Sequence, residues 1–230
     1  MKHSTRTRLK VATAKLGIDS PRLDTVVNLA KVESWRKRYV PASTPLFDVR
    51  YDMYEHLQRE HIGDAPIDYL EFGVYRGDTV RRWTKLNTHA DSRFVGFDTF
   101  SGLPEDWQRI DNTMRAAAFD VGGAVPDIDD ARVQFVKGLF QDTLGGFLAT
   151  YEPRSRLVLH CDADLYSSTL YTLTRLDDLL VPGSIVIFDE FSSVLHEFAA
   201  LADYCSAYRR EYAVLAATSE YFAQLAIQMQ

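Results

Sequence analysis

Short apolar runs alternate with stretches of helical spacing from residue 67 to residue 209, and this constrains the fold more than any other feature. Apolar runs at 67–72, 93–97, 133–136, 157–161 and 184–188 read as strands. Helical patterns follow at 78–86, after Gln141, at 167–180 and at 194–209. Strands without a polar face belong in a parallel sheet covered by helices on both sides. Two further runs, at 212–216 and 223–228, are separated by only a few residues and are predicted to pair antiparallel as a C-terminal hairpin. The expected fold class is α/β, a doubly wound, mostly parallel sheet.

Upstream, residues 22–38 have a helical pattern, and Val40-Pro41-Ala42-Ser43-Thr44-Pro45 reads as a linker. Apolar and aromatic residues at 47, 51, 54 and 57 then describe one helix face. This divides the chain into an N-terminal helical extension, 1–62, and a sheet domain, 63–230. Residues 1–17 carry Lys2, Arg6, Arg8, Lys10 and Lys15 and no acid. They read as a solvated basic helix or tail, with a transit-like segment or a contact to an anionic surface as alternatives. Residues 104–131 fit no compact connection: 28 residues with seven acids against Arg109 and Arg115. Trp107, Phe119, Val121 and Ile128 point to an ordered lid; a surface insertion is the alternative.

The 26 basic and 32 acidic side chains leave a net charge of −6, which argues against nucleic acid as a partner. There is no apolar stretch of membrane-spanning length and no signal-like start, so a cytoplasmic location is expected. Cys161 and Cys205 match no zinc or redox spacing, and Cys161 is expected as a buried free thiol. A symmetric dimer is the default assembly.

Ligands of an open parallel sheet bind at the carboxyl ends of its strands. Those ends read Glu71 with Gly73, Asp98, Gly138, Asp162 with Asp164, and Asp189 with Glu190. A lone acid after a strand is commonly a cap or turn former. Acids at four ends of one sheet edge are a constellation. The first end, Glu71-Phe72-Gly73-Val74-Tyr75-Arg76-Gly77, is not the pyrophosphate-cradling pattern, because Tyr75 stands at the place of the middle glycine. Glu71 and Asp98 would repel phosphate and attract an amine or ribose hydroxyls. Asp98 lies 21 residues after Gly77, near the spacing of a ribose-binding acid. A cationic nucleoside, S-adenosylmethionine, matches this chemistry.

Four motifs carry a resemblance. Glu71-Phe72-Gly73-Val74-x-x-Gly77 is followed by Gly96-Phe97-Asp98-Thr99-Phe100-x-Gly102-Leu103-Pro104. Asp162-x-Asp164-Leu165-Tyr166-x-Ser168-Thr169 and Pro182-Gly183-x-x-Val186-x-x-Asp189 complete the set. In this order, over about residues 66–192, the chain resembles the macrocin O-methyltransferase (TylF/MycF-like) family. The resemblance implies a Rossmann-like, S-adenosylmethionine-dependent methyltransferase acting on a hydroxyl of a sugar, glycan or natural product. It implies that Glu71 and Gly73 line the methionine part of the cofactor, which Tyr75, Gly77 and Thr99 would also contact. Asp98 would hold the ribose, Gly138, Leu139 and Phe140 would lie along the adenine, and Asp162 would sit beside the methyl group. It further implies Mg²⁺ on Asp162, Asp189 and Glu190, with Asp162 as general base; Glu190 stands where many relatives carry aspartate.

His160 precedes Asp162 by two and is expected to point the same way, as a strand-end histidine or a member of the site. His196 faces either the acceptor or solvent. Two other readings remain: a metal-dependent glycosyltransferase using Asp162-Ala163-Asp164, and a non-catalytic methyltransferase-like binding subunit.

Overall fold

The computed structural model describes residues 21–109 and 112–230, so the expectation for residues 1–17 lies outside the described residues. The chain opens with α1 (Pro21–Tyr39), β1 (Leu46–Phe47) and α2 (Arg50–Leu57), which runs into a π-helical turn, Gln58–Ile62. The alternating part follows as β2 (Ile67–Phe72), α3 (Asp78–Leu86), β3 (Arg93–Asp98), β6 (Val133–Lys137), α4 (Phe140–Leu148), β7 (Arg156–Cys161), α5 (Tyr166–Arg175) and β8 (Ile185–Phe188). Between β3 and β6 lie two short strands, β4 (Trp107–Gln108) and β5 (Thr113–Met114). The chain closes with α6 (Glu197–Tyr208), β9 (Tyr212–Thr218) and β10 (Leu225–Met229).

Eight strands form one sheet in the order β1-β9-β10-β8-β7-β2-β3-β6. β8, β7, β2, β3 and β6 are parallel neighbours, and β10 runs antiparallel between β8 and β9. The mostly parallel α/β sheet and its C-terminal hairpin are therefore as the alternation predicts. Phe47 departs from the expected helix: it pairs with Thr218 at the sheet edge, and α2 begins only at Arg50. A two-residue strand carries no periodicity, so the sequence offered no signal for it.

The sheet is buried on both faces, and period-2 alternation sorts the side chains. Leu70 and Phe72 of β2, with Leu159 and Phe188, join Trp35 of α1, Leu144 of α4, Leu173 of α5 and Leu201 of α6. Tyr69, Val158 and Ile187 join Met53, Tyr54 and Leu57 of α2 and Trp83 of α3. Both cores thus take residues from either side of residue 62. Trp35 donates its indole N–H to the Tyr212 hydroxyl at 2.7 Å. Its ring packs on Phe191, Phe198 and Phe222.

The described part of 104–131 is ordered. β4 and β5 pair antiparallel, Ser101 bridges to Asp120, and Leu103 exchanges backbone hydrogen bonds with Ala118 and Ala117 at 3.0 and 2.9 Å. Trp107 is buried, with its indole N–H 3.3 Å from Ser193 Oγ. Cys161 is a buried free thiol and Cys205 a half-buried one. Among the described residues, no helix is long and apolar enough to cross a membrane.

Candidate active site

β3 and β6 lie on one side of β2, and β7 and β8 on the other, so the topological switch point falls between β2 and β7. Gly73 leaves β2 there with φ +95, and a Cβ on it would stand 1.8 Å from the Asp162 carbonyl oxygen. The crossing is fastened by the Asp162 N–H on the Phe72 carbonyl at 2.8 Å and the Gly73 N–H on the Phe97 carbonyl at 2.9 Å. The three central strand ends are therefore locked together.

Beside this crossing opens a cavity of about 280 Å³. Nine of the expected residues line it: Gly73, Tyr75, Asp98, Thr99, Leu139, Phe140, Asp162, Asp189 and Glu190. Glu71, Gly77 and Gly138 do not. Glu71 shares the strand face of Tyr69 and is buried beneath α2 and α3. Gly77 is the N-cap residue of α3, with φ +77. Gly138 donates its N–H to the Asp98 carbonyl at 2.9 Å and ties the end of β6 to the end of β3.

Asp98 shapes the loop after β2. Its Oδ2 accepts the N–H groups of Val74 and Tyr75 at 2.7 and 2.8 Å, and its Oδ1 accepts that of Phe100 at 2.6 Å. Tyr75 sits in the left-handed region, φ 52, with its ring edge-on to Phe119 of the 104–131 segment.

Ligand atoms of Asp162 and Asp189, which line the cavity, and of the fully buried His160 lie within 4.8 Å of one another. His160 thus belongs to the convergent group. Glu190 lines the cavity but is not a member of that group, a difference from the expected three-carboxylate set. Successive residues at a strand end diverge, so Asp189 and Glu190 cannot both follow the same direction. Asp164 also lines the cavity, with φ 62 and a buried carboxyl, and stays outside the group.

The acids do not share one charge state. Burial, and then the charges of Asp189 and Asp164, push the Asp162 carboxyl far up. Burial lifts Asp164 to about 8 and Glu190 to about 7, in both cases helped by neighbouring carboxylates. Burial alone would raise Asp189 as well, but the His160 imidazole, the Arg50 guanidinium and the Tyr54 hydroxyl outweigh it and hold Asp189 below the ordinary carboxylate range. Asp189 is therefore held toward its ionised form, and Asp162 is pushed toward its protonated form. Behind them, His160 Nδ1 lies 2.7 Å from the Tyr69 hydroxyl, which also bonds Glu71. Burial lifts Glu71 to about 8, and its Oε1 is buried without a hydrogen-bond partner.

Sequence reasoning missed Arg50 and Tyr54, which hold Asp189 from α2. Their i, i+4 spacing is visible in the sequence, but the 47, 51, 54, 57 spacing puts position 54 on an apolar helix face. His196 faces neither acceptor nor solvent: its Nδ1 accepts the Tyr166 N–H at 3.1 Å and its Nε2 donates to the Gln108 carbonyl at 2.9 Å. Burial keeps that imidazole below its ordinary range, in the neutral form this pairing needs.

The site can be set beside known proteins. A 4'-O-methyltransferase of 8-demethyl-8-(2,3-dimethoxy-alpha-L-rhamnosyl)-tetracenomycin-C from Streptomyces olivaceus is 33% identical over 162 residues, 62% of this chain and 60% of that protein. A demethyldecarbamoylnovobiocin O-methyltransferase from Streptomyces niveus is 31% identical over 145 residues, 56% of this chain and 54% of that protein. The chain thus spans under two thirds of the length of these curated relatives. The solved structure of the O-methyltransferase NovP superimposes with a TM-score of 0.58 at 25% identity, over 78% of each chain. That of CalS11, a calicheamicin methyltransferase, gives 0.59 at 22% identity over 92% of this chain and 94% of its own, a likeness of fold. The family model described as macrocin-O-methyltransferase (TylF) matches residues 50–216, well over half the sequence. This chain belongs to the macrocin O-methyltransferase family.

Proposed function

We propose that the chain transfers a methyl group from S-adenosylmethionine to a hydroxyl of a sugar, glycan or glycosylated natural product, with Mg²⁺ assisting. The observation that carries this reading is one cavity lined by Gly73, Asp98, Asp162 and Asp189, the last two converging with the buried His160.

The residues present fit both groups. Glu71 Oε1 is a buried acceptor without a partner, behind the cavity wall, and would meet the cofactor's amine through water rather than directly. Asp98 fixes the loop and offers carboxylate lone pairs to ribose hydroxyls, while Leu139 and Phe140 give the base an apolar wall. Asp162 and Asp189 supply the hard oxygen donors that Mg²⁺ prefers, with Glu190 close enough to the cavity to reach coordinated water. A cation there would neutralise the crowded acids and acidify a bound hydroxyl. Only with the neighbouring charges neutralised in this way would Asp162 ionise, and its carboxylate at the switch point would then take the acceptor's proton. Trp107, with the 104–131 segment as a lid, excludes water from the acceptor. The reading includes a cytoplasmic homodimer without nucleic acid partners. A glycosyltransferase would place both Asp162 and Asp164 on one cation, and only Asp162 joins the convergent group.

Calorimetry with S-adenosylhomocysteine, with and without Mg²⁺, tests this directly. Micromolar binding is expected, and no binding in either condition overturns the reading. Asp98→Ala should weaken that binding by about 1–3 kcal/mol, because three backbone N–H groups and the ribose lose their acceptor. Unchanged affinity would remove Asp98 from the cofactor site. With a rhamnosyl or related glycoside as acceptor, excess chelator should abolish turnover and added Mg²⁺ restore it. Full activity in chelator would leave the carboxylates with a proton-transfer role alone.

A further inference from the structure

Asp189 is gripped by a clamp that lies outside the strand-end motifs. Arg50 opens α2, and Tyr54 follows one turn later. Residues four apart on a helix share a face, so a single helix end reaches both oxygens of one carboxylate. Arg50 Nη1 stands 2.5 Å from Asp189 Oδ2, and the Tyr54 hydroxyl donates to Asp189 Oδ1 at 2.7 Å. The Asp189 side chain is 3% exposed, whereas that of Arg50 is 35% exposed.

A buried carboxylate needs a compensating charge. Here Asp162, Asp164 and Glu190 line the same cavity, so the need is acute. A guanidinium and a divalent cation compete for the one Asp189 carboxylate. Both draw on the same lone pairs, and two cations so close repel strongly. We propose that Arg50 is the resident counter-ion of the carboxylate site, seated on Asp189 until a divalent cation takes its place, and that it thereby sets the site's affinity for that cation. The inference rests on the reading that Asp162 and Asp189 hold such a cation.

The geometry suits an exchange. The Arg50 head is already part-solvated and lies 5.3 Å from the Tyr51 ring centre, so it can leave Asp189 without opening the core. Tyr54 is fully buried and keeps Asp189 oriented throughout. One positive group stays beside Asp189 in either state, so the carboxylate is never left uncompensated.

Mn²⁺ titration of the cofactor-free protein by calorimetry reads this without turnover. Arg50→Met should bind Mn²⁺ about tenfold or more tightly than the native chain, because the competing cation is gone. Arg109→Met removes a second cation of the same cavity, one beside Asp164 and Glu190, and should change the affinity by about threefold or less. In the native chain, the Arg50 side-chain ¹⁵N resonance should shift on Mg²⁺ addition, a readout independent of how any variant folds. Equal or weaker binding by Arg50→Met, an equal gain in Arg109→Met, or a static Arg50 resonance in a chain that binds the ion overturns the proposal and leaves the metal reading standing. No ion binding by the native chain or either variant overturns both.

Discussion

Alanine at Gly73 should cost more than about 4 kcal/mol of stability and abolish cofactor binding, the largest loss expected of a methyl group added at any described glycine. The added Cβ would lie 1.8 Å from the Asp162 carbonyl oxygen and 2.5 Å from its carbon. These are backbone atoms in the middle of the sheet, so no side chain can turn aside. Relief requires β2 and β7 to part, which breaks the Asp162 N–H to Phe72 bond and opens the floor of the cavity. The φ of +95 adds strain for any residue with a side chain. Gly145→Ala is the control: it lies within α4, its Cβ meets nothing within 4 Å, and it should raise stability by up to about 1 kcal/mol. Chemical denaturation of the two variants gives the comparison. A native midpoint for Gly73→Ala would mean that the ends of β2 and β7 do not approach as described.

Asp162→Asn should lower turnover by about 10²–10⁴-fold, the usual contribution of a positioned base. Asparagine keeps the volume and backbone contacts but cannot take a proton. The same substitution has a signature that needs no substrate. Burial and neighbouring carboxylates raise the folded-state Asp162 above its unfolded value, and Glu71, Asp164 and Glu190 move the same way, to about 8, 8 and 7. Between roughly pH 4 and 8 the folded chain therefore holds protons that the unfolded chain has released, and stability falls as pH rises. In chelator, the native thermal midpoint should drop across this window, and Asp162→Asn should flatten part of the drop. An unchanged slope would mean that Asp162 is not the crowded acid.

How much of this was readable from the sequence depended on whether the signal was local. Strand β2 was bounded correctly from its apolar run, because a fully buried strand shows in composition. Asp98, Asp162 and Asp189 were found because strand-end position alone places a residue at the ligand edge. Glu71 was misplaced relative to the cavity because a strand end gives the edge but not the face: one position of alternation turns its carboxyl under α2. His160 in the convergent group, rather than Glu190, follows from the same alternation. Arg50 and Tyr54 are more than a hundred residues from Asp189, and a contact across that separation leaves no periodic trace. His196 was ambiguous for the same reason, since its partners Gln108 and Tyr166 come from two other elements.

The stretch that matches the family model, 50–216, is shorter at both ends than the unit that holds together. Cutting the chain there would remove Trp35 from its place against Phe191 and Phe198, leaving aromatic rings bare to water. It would also take away β10, the only strand joining β9 to β8, and leave a slot in the sheet with two rows of unpaired amides. Such a fragment would present sticky edges and an oily flank, and it should aggregate rather than fold. Any trimmed version for crystallisation or display should keep α1 and run through Met229.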